Sequence, residues 1–175
     1  MDVIELRERF EYIIETRQRF LETFRSIGWN AFAQDRGASW SSMLGIFLHI
    51  LDDEEGWLQY GAKEGSILGS PDRRVSDYDG FEKLAEDNSR VSAATRAYLA
   101  TLTNESLNRE ISLRLPDGVF RRRISKILEH TAVDELAHIG EWICLLWQLD
   151  VKPPYIDWLD YRRPDILEPT SNGTC

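Results

Sequence analysis

The stretch SKILEHTAVDELAHIGEWICLLWQL, residues 125–149, decides the fold. Successive helical residues turn by about 100°, which places Ile127, Leu128, Thr131, Trp142, Leu145 and Leu146 on one face. The spacing therefore predicts a helix from about Ser125 to Leu149 with one buried side. Pro153 and Pro154 follow it, where a helix cannot continue. Asp134, Glu135 and His138 fall within or beside the same apolar arc, although burying ionisable groups is costly unless they are paired or hold a metal. Asp134 and His138 are four residues apart and lie one above the other, the spacing by which one helix gives two ligands to one ion. A plain Asp–His pair on the helix surface is the alternative.

Working outward, Phe10, Ile13, Phe20 and Phe24 recur at helical steps, so about residues 2–26 form a first helix that Gly28 ends. Ser39, Ser41 or Ser42 can cap a second helix, running to about Lys63, whose inner face holds Met43, Ile46, Phe47, Ile50, Trp57 and Leu58. A third begins near Asp79 with Phe81, Leu84, Val91, Tyr98 and Leu102 inward. Between 107 and 123 the period changes, and ISLRL and VFRRRI around Pro116-Asp117-Gly118 predict a short β-hairpin. On the second helix, His49 sits at the edge of the apolar arc with Asp53 one turn on, and it is the natural third ligand to Asp134 and His138. A hydrogen-bonded boundary histidine is the other reading of His49. Arg17 and Glu54 interrupt apolar stripes on the first two helices, which predicts a buried ion pair between them.

The 175 residues suit one domain, and 42% apolar composition is enough for a sizeable core. A net charge of −9 disfavours nucleic acid and anionic membranes as partners. No stretch approaches the roughly 20 apolar residues that span a bilayer, and the start MDVIELRERF has no secretory pattern, so a cytoplasmic location is expected. Cys144, in the apolar WICLLW run, reads as a core thiol, and Cys175 reads as a tail thiol.

HILDDEEGW in the second helix and HTAVDELAHIGE in the fourth, with QLDVKPPYIDWLDY after it, are similar to the DinB-like or YfiT-like metal-binding four-helix bundles. The resemblance covers nearly the whole chain. It implies an all-α, up-down-down-up bundle over 1–163, the hairpin inserted before the fourth helix, an irregular C-terminal tail with 164–175 flexible, and pairing into a homodimer. It also implies one divalent ion (zinc, nickel, iron or manganese) held by His49, Asp134 and His138. Many members have His in place of Asp134, and a subset resembling thiol-dependent isomerases has Glu. A carboxylate there shifts the site toward harder metals.

Two imidazoles and one carboxylate leave a coordination position open, the arrangement of a metal-dependent thiol transferase or hydrolase that lowers the pKa of a bound thiol or water. A low-molecular-weight thiol and an unidentified small-molecule substrate are the expected partners. Asp53, Glu54 and Glu135 are the candidates for orienting imidazoles or acting as a base. Glu135-x-x-His138 also matches half of a ferritin-like di-iron site, but the chain has no second Glu-x-x-His. A non-catalytic bundle whose metal fastens two helices, or which has lost its metal, is the competing class.

Overall fold

In the computed structural model, which describes residues 2–161, four long helices form the bundle. They are α1 (Val3–Ile27), α3 (Met43–Glu55), α4 (Phe81–Thr101) and α6 (Ile124–Trp147), with short helices α2 (Trp29–Ala33) and α5 (Asn104–Asn108) at corners. The expected flexible tail 164–175 and Cys175 lie outside the described residues.

Local chemistry sets the ends. Asp2 accepts from the amides of Ile4 and Glu5 at 2.8 and 2.9 Å, and Glu5 reaches back to the Asp2 amide, a capping box that satisfies orphan donors. Gly28, at φ 85°, closes α1 in a conformation that a side chain would strain. Ser42 caps α3 by accepting from the Gly45 amide. α3 does not stop at Glu55 but widens into π turns over Gly56–Ala62.

Two core clusters fix the helix directions. One joins Phe20 and Phe24 late in α1 and Trp142 and Leu146 late in α6 to Met43 and Phe47 early in α3 and Phe81 and Leu84 early in α4. The other joins Leu6 and Phe10 with Ile124 and Leu128 at the early ends of α1 and α6, together with Leu58 beyond α3 and Leu99 late in α4. α1 and α6 therefore run one way, and α3 and α4 the other. α1 and α3 each pack against both α4 and α6, which gives the up-down-down-up arrangement.

Strands β1 (Glu110–Leu115) and β2 (Gly118–Arg123) pair antiparallel with Leu113 opposite Phe120. The loop after the π turns anchors the hairpin: Arg114 donates its amide to Gly65 and accepts from Ile67 at 2.8 and 3.1 Å.

The buried pair expected from Arg17 and Glu54 is present and larger than a pair. Arg17, fully buried, contacts Glu54 at 2.5 Å and Glu135 at 2.6 Å, and donates further to Asn88 and Ser92. Cys144 departs from expectation because it is exposed. Two residues beyond the buried Trp142, it is turned by about 200° to the outer side of α6.

Candidate metal centre

α3 and α6 run side by side in opposite directions, which brings His49 to the same level as Asp134 and His138. The three predicted ligands offer donor atoms that all lie within 4.8 Å of one another. Asp134 Oδ2 is 3.4 Å from Nε2 of His49 and 3.4 Å from Nε2 of His138. The two rings meet nearly edge to face at 84° with centroids 4.7 Å apart. All three residues are half-buried.

One atom tests whether this set suits a metal. Asp134 Oδ2 is buried and has no hydrogen-bond partner among the described residues, a state that costs about 1 to 3 kcal/mol when nothing compensates it. A tetrahedral ion with ligand bonds of about 2.0 to 2.2 Å keeps its donors roughly 3.4 Å apart, which is the spacing of Asp134 Oδ2 from both imidazoles. The residues fit a divalent cation.

The electrostatics agree. Burial, and after it the neighbouring His138, push His49 below its ordinary pKa although Asp134 pulls the other way, so the ring is neutral at neutral pH and keeps a lone pair to donate. His138 Nδ1 lies 3.0 Å from Glu141 Oε1. A carboxylate at that nitrogen places the proton on Nδ1 and turns Nε2 toward the site. Glu141 is itself held by the hydroxyl and amide of Ser39. Trp40 stacks on the His49 ring at 4.1 Å between centroids. The α2–α3 loop thus braces both histidines. Neither the Trp40 stack nor the Glu141 brace was assigned from the sequence; the three-residue step from His138 to Glu141 was the available signal for the second.

The carboxylates expected to orient the imidazoles divide differently. Glu54 and Glu135 belong to the buried Arg17 cluster, where burial pushes the Glu135 carboxyl up against the pull of Arg17. This removes Glu135 from any di-iron arrangement with His138. Asp53 Oδ1 is 4.0 Å from His49 Nδ1, beyond hydrogen-bond reach, and accepts instead from the Trp57 indole at 3.2 Å. Burial, with Asp134 nearby, raises Asp53 to about 6. His130 is exposed and meets Trp57 edge-on at 5.1 Å, apart from the three clustered residues.

His49 and Asp53 line a cleft of about 470 Å³ walled by Trp40 and Trp57. Asp134 and His138 are not part of that lining. Arg73, at the floor, is held by Asp52, Glu55 and Asp87 at 2.5, 2.5 and 2.6 Å. This second network ties the loop after the π turns to α3 and α4.

The sequence matches the family model described as the DinB family over residues 1–171. The fold is similar to the crystal structure of a DinB-like protein, YjoA, from Bacillus subtilis. The match has a TM-score of 0.64 and 19% identity, covering 85% of this chain and 97% of that one. No curated protein matches the chain.

Proposed function

The chain belongs to the DinB family, and on that footing we propose that His49, Asp134 and His138 hold one divalent ion at the heart of a metal-dependent thiol transferase or hydrolase. The observation that carries this reading is Asp134 Oδ2, buried without a hydrogen bond among the described residues and 3.4 Å from each of two imidazole nitrogens. When bound, the ion supplies Lewis acidity that lowers the pKa of a coordinated thiol or water.

The chain's own residues do the remaining work. His49 presents a neutral nitrogen, and the His138 ring is oriented by Glu141. Asp134 brings one negative charge, so a divalent site keeps net positive charge and favours an anionic fourth ligand. Asp53 and Trp57 line the cleft beside His49, where a substrate would reach the site, and Trp40 shields the outer face of His49 from water.

Reconstitution with zinc, nickel, iron and manganese, followed by elemental analysis, tests the site. One equivalent per chain is expected, and His138→Ala should lose it. A protein that takes up no metal, or a variant that keeps a full equivalent, removes the proposal. Loaded protein is then screened for consumption of low-molecular-weight thiols and for hydrolysis. Metal bound without any exchangeable position, as read by absence of inhibition by small anions, would favour a purely structural ion.

A further inference from the structure

The hairpin alternates as a half-buried strand pair should. The face of β1 bearing Ile111, Leu113 and Leu115 turns toward the bundle, and their partners across the ladder put Phe120 and Arg122 on that same face. Arg122 is thus the cation at the edge of an apolar surface, where it lies over the Phe120 ring at 5.3 Å and donates to the Arg121 carbonyl. It forms no ion pair among the described residues. Lys126, one turn into α6, has only Glu129 at 4.0 Å on an exposed flank. Between hairpin and α6 is a hollow of about 220 Å³, lined by Trp57, Leu113, Leu115 and Ile127, with His130 beside Trp57 and with Arg122 and Lys126 as its cations.

Charge singles this hollow out. The span from Arg109 to Lys126 holds six cations and two carboxylates in a chain whose net charge is −9. A basic patch that is sparsely paired among the described residues of an acidic protein attracts anions, and an apolar floor between two cations selects an anion with an apolar body. The volume lies below the about 300 to 1,000 Å³ of drug-sized sites, so the occupant is small.

We propose that the hollow between the hairpin and α6 is a second binding site, which takes a short-chain or single-ring carboxylate with its apolar part on Trp57, Leu113, Leu115 and Ile127 and its carboxylate between Arg122 and Lys126. Trp57 forms a wall of both this hollow and the cleft beside His49, so the two sites share one side chain. The proposal stands on the hollow's own lining and holds whether or not the triad carries metal.

The test is an amide and indole NMR titration of the full chain with hexanoate, and with 1-hexanol and hexylamine as probes of equal apolar length. Hexanoate is expected to shift the signals of residues 113–127 and the Trp57 indole, saturably and more tightly than hexanol, with hexylamine weakest. Arg122→Glu with Lys126→Glu should weaken hexanoate at least about tenfold while hexanol is unchanged, since a charge-assisted contact at each cation is lost. Both side chains are exposed, so the fold is expected to survive; unchanged circular dichroism checks this, and Arg122→Gln with Lys126→Gln gives a milder second pair. Hexanoate shifts no tighter than hexanol's, shifts centred elsewhere, or variants that bind hexanoate as well as the parent would overturn the proposal.

Discussion

At the residue scale, the core is organised by one guanidinium. Arg17 serves Glu54, Glu135, Asn88 and Ser92 at once, and Thr95 completes the shell by donating to Glu54. Arg17→Met should therefore cost about 3 to 5 kcal/mol, because two carboxyls would be left buried without their partner. Urea unfolding at fixed pH reads this loss. Combining Arg17→Met with Glu54→Leu and Glu135→Leu is expected to recover most of it, and a triple variant no more stable than the single one would contradict the account. The sequence revealed Arg17 and Glu54 because charges on apolar stripes stand out. It did not reveal that Glu135 completes their group, since a stripe gives the direction a side chain faces but not what meets it from the opposite helix. Cys144 misled for a related reason: neighbours in an apolar run are not neighbours on a helix surface.

At the scale of elements, the long helices and the hairpin were legible from period and turn chemistry, and so was the clustering of His49, Asp134 and His138 that α3 and α6 bring about. The five-residue helices α2 and α5 were not, because they are too short to show a period, and the π turns were hidden because they continue an α-helical pattern. The loop between α2 and α3 was equally opaque, yet it braces the candidate centre. Its fit depends on Gly45, where an added Cβ would meet the Trp40 carbonyl oxygen at 1.9 Å. Gly45→Ala is expected to push that loop outward, destabilise the protein by about 1 to 3 kcal/mol and lift Trp40 off His49. Thermal unfolding measures the first effect, and a change in near-ultraviolet circular dichroism with unaltered helix content measures the second. An alanine variant with parental stability and the same aromatic signal would show that the loop yields without consequence.

At the scale of the whole molecule, acid should act through the Arg73 network. Although burial opposes it, hydrogen bonds from Arg73, Tyr78 and Arg90 hold Asp87 well below the usual carboxylate range, and Arg90, despite burial and helped by Arg73, lowers Glu55. Their stabilisation is complete above the unfolded values of about 4 and drains as pH falls below them. Asp52, raised by burial, runs the opposite way and offsets part of the loss. Urea midpoints should thus fall between about pH 4 and pH 2 less steeply in Asp87→Asn than in the parent, and parallel curves would contradict this. The homodimer stays a proposal from family resemblance: Trp29 packs on Phe81, Trp40 on His49 and Trp158 on Tyr12, and Trp147, 57% exposed, is the most exposed of the six tryptophans and the one whose role in a second-copy contact is tested. Light scattering should give a dimer mass that Trp147→Lys abolishes, and a monomeric parent ends the idea. Finally, Asp134 and Glu135 are consecutive, yet one faces two imidazoles and the other Arg17. α6 resembles a key with two bits cut at a fixed angle: rolling it to widen the donor triangle would pull Glu135 from its lock. With the proposed ion bound, the protein interior would gauge ionic radius, and loosening it with Arg17→Lys should narrow the difference in affinity between zinc and the larger manganese ion, which a competition titration of the two metals reads.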